Sequence, residues 1–320
     1  MAKIQIFFVI CIVLSCASAD KLSYVLEFCR HGARAPTHFP FGDAELTDYP
    51  VGPGNLTPGG MRMQYLVGRA LRKKYIEQEK LLSPSFSLSE VLVYSDSYNR
   101  TIQSAESQMF GLYPLGTGMN ITNEIELEVS VPPMGIENLQ EVQYELGYAA
   151  LPQGYQPIPV LYWSYTAEMG QCSNYYTLLN DLYANSHATA PIQARINKYV
   201  PLLSKVSGIS VEDLIASPSL LVKVSEEILC AYYAGKAIPG FNRNDISEII
   251  DSLNIGLYGF MNYDTGLIML QASPLIRTVR DSLTAAIEGT SDVKFTLYSG
   301  HDITLAPLVA ALGQPQYYPE

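Results

Sequence analysis

The chain has 320 residues, 48% of them hydrophobic and 16% charged, with a formal net charge of −11 at pH 7. Such a composition supports a sizeable core in one large domain or in a domain with an insertion, and excludes a disordered, collagen-like or coiled-coil chain. The acidic balance argues against nucleic acid or an anionic membrane surface as a partner.

In chain order, the first element is read as a segment outside the fold. Lys3 precedes the apolar run Ile4 to Leu14, and the small residues Ala17-Ser18-Ala19 follow. This is the layout of a secretory signal peptide over residues 1–19, cleaved before Asp20. The apolar run is too short to span a bilayer, and no later run is longer, so no stable membrane anchor is expected. Loss of Lys3 with the leader leaves 19 basic residues against 31 acidic ones, a net charge of −12. The destination is the outside of the cell or a lysosomal or vacuolar lumen. Cys29, Cys172 and Cys230 remain. In an oxidising compartment the simplest pairing is Cys172–Cys230 with Cys29 buried, although the odd count equally permits two unpaired thiols.

Leu22 to Phe28 reads as a strand. It runs into Arg30-His31-Gly32-Ala33-Arg34-Ala35-Pro36, where one imidazole lies between two guanidinium groups that match phosphate oxygens in charge and geometry. His38 lies in the loop from Thr37 to Pro53, which should help set selectivity. Thr57 as N-cap and Pro58 at the first position predict a helix with a buried stripe of Met61, Tyr65, Gly68, Leu71 and Tyr75. The basic cluster Arg69, Arg72, Lys73 and Lys74 is its solvated end. A second strand, Glu90 to Ser95, leads into a helix capped by Asp96 or Ser97, with Arg100 one turn in.

From 124 to 244 the chain reads as a mainly helical cap, with helices near 175–184, 191–203 and 220–234 and a surface histidine, His187. Beyond it, Ile246 to Tyr258 has helical periodicity, and Ser273-Pro274 opens a helix ending near Gly289. A third strand, Val293 to Tyr298, ends in Ser299-Gly300-His301-Asp302 before a helix from Ile303 to Leu312. The fold class is therefore α/β, a mostly parallel sheet flanked by helices, built from 20–123 and 245–320 around the cap. Three strand-then-helix units place His31, Arg100 and His301 beyond strand ends, where α/β sheets bind ligands. Asn120-Ile121-Thr122 is the favoured glycosylation sequon. Asn55-Leu56-Thr57 is weakened by Pro58, and Asn99-Arg100-Thr101 overlaps the expected pocket.

Taken together, the Arg30 to Pro36 loop, Asn55 to Gly60 with Leu71 to Tyr75, Ser97 to Pro114 and His301-Asp302 resemble the histidine acid phosphatase family, a branch of the histidine phosphatase superfamily with prostatic and lysosomal members. The resemblance covers most of 22–115 and 293–313. It implies hydrolysis of phosphate monoesters with His31 as nucleophile and Asp302 as the acid for the leaving alcohol. Arg30, Arg34, Arg100 and His301 would hold the phosphate, and no cofactor or metal is called for. It also implies C-terminal strands and cysteines that the sequence to Glu320 does not contain, some of them partners for Cys172 and Cys230. The other readings are a phosphoglycerate-mutase-like phosphotransferase, which would release no inorganic phosphate, and a catalytically weak phosphate-binding or secreted structural protein. The expected partner is a phosphomonoester, and a homodimer stays open. A nucleophilic imidazole must be neutral, and the surrounding cations should lower the His31 pKa enough to permit this in an acidic compartment.

Overall fold

The computed structural model describes residues 12–18, 21–39, 48–165, 169, 171–184, 194, 197–236, 238, 245–246, 249–250 and 265–313. His187, most of the expected 246–258 helix, the junction at Ala19-Asp20 and residues 314–320 lie outside them.

The sheet is built on β2 (Lys21–Arg30), which carries the predicted apolar run two residues further than expected. Its two faces are both buried. Val25 and Cys29 join Val91, Val93, Phe295, Leu297, Met109 and Leu112 in one core cluster, while Leu26 and Phe28 join Tyr298, Leu275, Leu305 and Leu308 in another. A strand buried on both sides reads as a continuous rather than an alternating apolar run, as parallel strands between helical layers do. β3 (Val91–Ser95), β4 (Leu161–Tyr162) and β5 (Phe295–Gly300) complete a parallel set in the order β2-β5-β3-β4. β1 (Ile12–Ser18), within the stretch read as a leader, lies antiparallel on the outer edge of β2, with Ile12 opposite Phe28 and Ser18 opposite Lys21. An apolar segment of this kind satisfies the open N–H and C=O groups of an edge strand.

α1 (Pro58–Leu71) starts as predicted, with Thr57 Oγ1 accepting from the Gly60 N–H, and passes into a π-helical turn over Arg72–Gln78. Its buried face is centred on Gly60, Gln64, Gly68 and Leu71, rotated from the expected Met61 and Tyr65 stripe. The rotation follows from contact with α2 (Asn99–Leu112): a Cβ on Gly68 would lie 1.9 Å from the Gln108 carbonyl oxygen, and one on Gly111 would lie 2.2 Å from that of Tyr65. Burying Gln64 is tolerated because its Nε2 donates to the Arg30 carbonyl at 2.9 Å. Arg72 in the basic cluster is not fully solvated, since its Nη1 donates to the Leu112 carbonyl at 2.8 Å. Neither Asp96 nor Ser97 caps α2; the N-cap is Tyr98, without a side-chain bond.

The cap span contains α3 (Glu124–Val129), α4 (Leu139–Leu146), α5 (Ser173–Ala184), α6 (Val200–Ser207), α7 (Val211–Ala216) and α8 (Pro218–Tyr233). α6 to α8 share a core of their own around Leu203, Leu214, Leu221, Val224 and Ile228. β4 and Trp163, inside the same span, return to the main sheet: the Trp163 N–H donates to the Ser95 carbonyl, and its ring packs on Tyr298. The expected helix start at Ser273-Pro274 is corrected. α9 runs from Thr265 to Glu288 with Pro274 inside it, because one continuous face (Leu267, Gln271, Ala272, Leu275 and Val279) stays buried across the proline. α10 (Asp302–Ala311) ends before Gly313 in a left-handed conformation.

The expected Cys172–Cys230 disulfide is not formed. Cys29, Cys172 and Cys230 are free thiols, Cys172 packing beside Tyr175 and Leu267 and Cys230 lying on α8. Among the described residues no helix is long and apolar enough to cross a membrane.

The glycine contact gives a stability test. Gly68→Ala should destabilise the protein by about 1–3 kcal/mol through forced separation of α1 and α2. Gly135→Ala, at a position with open space around it, should stay within about 0.5 kcal/mol. Urea unfolding of the two variants measures both, and equal effects would mean that the close helix contact does not govern stability.

Candidate active site

The register of the parallel strands brings the predicted residues together. Arg30 is opposite Gly300 and Ser95 is opposite Ser299, so His31, Asp96 and His301 leave the sheet side by side. The His31 N–H donates to the Gly300 carbonyl, and the Asp96 N–H to that of Ser299, each at 3.0 Å. The loop after β2 is held from below: the Gly32 N–H donates to Ser104 Oγ on α2, and the Thr57 N–H and hydroxyl both donate to the Ala33 carbonyl. Gly32 is required there, because a Cβ would lie 2.4 Å from the Gly60 carbonyl oxygen.

His31 is 5% exposed. Its Nδ1 lies 2.8 Å from the Gly32 carbonyl oxygen, which can only accept, so Nδ1 carries the proton and Nε2 keeps its lone pair. Burial, then the charges of Arg30 and Arg34, push its pKa well below the ordinary 6.5. The His301 ring stands edge-on 5.5 Å away.

The cations around this imidazole have carboxylate partners from three parts of the chain. Arg30 Nη2 lies 3.1 Å from Asp302 Oδ2, and His301 Nε2 lies 3.3 Å from Asp96 Oδ2. Arg34 Nη1 donates at 2.6 Å to Glu226 Oε1 on α8, an oxygen that also accepts from the Thr37 N–H and hydroxyl. Arg100 has no carboxylate partner among the described residues; its guanidinium lies over the Tyr98 ring at 4.5 Å. The Nε–H groups of Arg34 and Arg100 are buried without a hydrogen-bond partner. Buried unpaired donors are costly, and two of them flanking a neutral imidazole suit an oxyanion.

Burial alone would raise the Asp302 pKa; the Arg30 charge and the Ile303 N–H outweigh it and hold the carboxyl below its ordinary range. Burial would likewise raise Glu226, and Arg34 with the Thr37 groups brings it below. Among the described residues no group of three or more His, Cys, Asp or Glu side chains is arranged to hold a metal ion. A cavity of about 390 Å³ opens beside Arg100, between Thr37, Asn55 and the Ser97-Tyr98-Asn99 turn. An exposed Asn99 on this wall explains why its sequon overlaps the pocket, whereas Asn120 is exposed elsewhere.

Comparison with known proteins agrees with this geometry. The profile of the histidine phosphatase superfamily, branch 2, matches residues 21–320. The chain belongs to that family. Human prostatic acid phosphatase is 26% identical over 302 residues, spanning 92% of this chain and 70% of that protein. Lysosomal acid phosphatase of Xenopus laevis is 26% identical over 302 residues, spanning 92% and 63%. A solved Hafnia alvei phytase in complex with myo-inositol hexakis sulphate shares the fold, with TM-score 0.61 at 18% identity over 93% of this chain and 76% of that one. The protein is a phosphatase, a hydrolase of the histidine acid phosphatase group.

All six predicted residues of the phosphatase, His31, Asp302, Arg30, Arg34, Arg100 and His301, border one site. Glu226, Asp96 and Tyr98 were missed. Glu226 sits on α8 in a stretch with no motif, 192 positions from Arg34, so no local signal marks it. Asp96 was read only as a helix cap, though an acid directly after a strand end was the available signal.

The His31 environment can be measured. An NMR titration should find its midpoint well below 6.5. Arg30→Gln should move that midpoint up, since one of the charges that disfavours the imidazolium is gone. An unshifted midpoint would remove Arg30 from the cause.

Proposed function

We propose that this phosphatase hydrolyses phosphate monoesters through a phosphohistidine intermediate. The observation that carries this reading is the His31 ring, with Nδ1–H tied to the Gly32 carbonyl and Nε2 free inside a ring of guanidinium groups. Nε2 attacks phosphorus as the ester oxygen departs opposite it. Arg30, Arg34, Arg100 and His301 hold the three equatorial oxygens. Asp302 gives its proton to the leaving alcohol. Its carboxylate then takes a proton from the water that attacks phosphorus, and the N–P bond breaks as the new O–P bond forms, which releases inorganic phosphate and returns the lone pair to His31 Nε2.

Asp302 must be protonated for the first step, although Arg30 holds it ionised in the unliganded protein. A bound phosphate offers Arg30 another partner and adds negative charge near the carboxyl. Both changes raise the Asp302 pKa. The active complex has His31 neutral and Asp302 protonated, so kcat falls at low pH as His31 is protonated and at higher pH as Asp302 loses its proton. The optimum lies on the acid side of 6.5.

The relatives include a prostatic and a lysosomal protein. Together with the leader over residues 1–19, this supports cleavage before Asp20 and delivery outside the cell or to an acidic lumen. Cleavage would take β1 away and open the outer edge of β2. N-terminal sequencing of the protein from its native compartment should begin at Asp20; a chain still carrying Ile12 would overturn the cleavage.

Two variants test the mechanism. His31→Ala should lose about 10⁴-fold or more in hydrolysis of an aryl phosphate. Asp302→Asn should slow esters of poor leaving alcohols by about 10²–10⁴-fold and activated aryl esters much less. Retained activity in the first variant, or equal losses for both ester types in the second, would reject the corresponding role.

A further inference from the structure

We infer that the segment 114–164 is a docking surface for a cationic protein partner whose contact face mixes lysine or arginine with apolar side chains. None of the residues around His31 belongs to this segment.

No residue of 114–164 is buried. The segment is nevertheless held in a defined structure by its backbone. The Gly116 N–H donates to the Gln153 carbonyl at 2.8 Å, the Ile121 N–H to that of Tyr148 at 2.8 Å and the Ala150 N–H to that of Met119 at 3.1 Å. Asn120 and Ala149 form an antiparallel bridge. α3 and α4, of six and eight residues, bury none of their own side chains. Helices this short are marginal in water until an apolar face is packed.

The apolar side chains that could pack are present and face water. Ile125 is 74% and Tyr144 89% exposed, and Met119, Val129, Met134 and Tyr162 are exposed with them. Exposed apolar side chains collected on one segment, rather than scattered singly, mark an interaction surface.

Charge selects the partner. The same segment contains Glu124, Glu126, Glu128, Glu137, Glu141 and Glu145 and no lysine, arginine or histidine. Glu126 accepts from the Thr122 N–H and hydroxyl, and none of the six forms an ion pair among the described residues. Residues four apart share a helix face. On α3, Ile125 and Val129 therefore run beside Glu124 and Glu128; on α4, Val142 and Leu146 run beside Glu141 and Glu145. A two-fold pairing with a second copy would set these carboxylates against their own kind. An anionic membrane surface is repelled in the same way. A partner bearing lysine or arginine among apolar residues gains from both features, burial and opposite charge.

The test uses the full chain and a fluorescein-labelled amphipathic helical peptide of lysine and leucine, followed by anisotropy at pH 7. A peptide with glutamate in place of lysine is its counterpart. The lysine peptide should bind at least about 10-fold more tightly than the glutamate peptide. The triple variant Glu128→Gln, Glu141→Gln, Glu145→Gln should weaken binding about 10-fold, and Ile125→Ser with Tyr144→Ser should do the same at unchanged charge. Glu79→Gln, Glu212→Gln, Glu288→Gln removes equal charge from exposed positions elsewhere and should leave binding within about 2-fold. Amides of α3 and α4 should exchange more slowly in the complex, a readout that needs no variant.

Equal losses from the two charge triples would reduce the contact to net charge and overturn the inference. So would unchanged exchange of α3 and α4 with peptide bound. Dimers seen by sedimentation and lost in Ile125→Ser with Tyr144→Ser would assign the face to a second copy. Binding to phosphatidylcholine vesicles lost in the same variant would assign it to a membrane. Either result overturns the cationic partner.

Discussion

The site depends on the parallel pairing of β2 with β5 and of β5 with β3. With Arg30 opposite Gly300 and Ser95 opposite Ser299, three chain segments exit the sheet at one level, although their positions in sequence span some 270 residues. A one-residue slip in either pair would turn the strand faces over and exchange the two core clusters that hold them. The buried identity of Val25, Leu26, Phe28, Phe295 and Leu297 therefore fixes the geometry of the candidate site indirectly. None of the six predicted site residues belongs to the two clusters that hold these strands.

A second constraint is electrostatic. Three arginines around a buried imidazole would repel one another strongly if left bare. The carboxylates of Asp302 and Glu226 pair with Arg30 and Arg34 in the unliganded protein, and that of Asp96 faces His301, each from a different segment. Such pairs stabilise little in net terms, because both charges give up water. Their consequence is that the cations stay oriented before substrate arrives. In the proposed reaction a phosphate would exchange with carboxylates rather than order loose side chains, and the Asp302 carboxyl, relieved of Arg30, would move toward its protonated form.

The strand-then-helix units and the α1 start were legible because they depend on local signals: an apolar run, a Thr-Pro cap, a turn glycine. Arg30, His31 and Arg34 were legible because three charged groups in five positions have few other uses. What escaped depends on tertiary packing. The rotation of α1 toward Gln64 required knowing that Gly68 would meet Gly111, and the continuation of α9 through Pro274 required knowing which face would be buried. The Cys172–Cys230 pairing rests on count and compartment alone, whereas Cys172 packs beside Tyr175 and Leu267 and Cys230 lies on α8.

Glu226 joins these strands of the argument. A mainly helical insertion with its own core could act as a cover independent of the chemistry beneath it. Here one carboxylate oxygen on α8 accepts from Arg34 and from both the N–H and hydroxyl of Thr37, so α8 holds the loop after β2 by its charge-bearing arm and by its backbone at once. The Arg34 Nη1 group is taken by this contact and by the Ala35 carbonyl, while its buried Nε–H has no hydrogen-bond partner. Cap position, the direction in which Arg34 points and the net charge felt by His31 are therefore one coupled quantity. A change in how α6 to α8 pack would register at His31, not only at the pocket mouth.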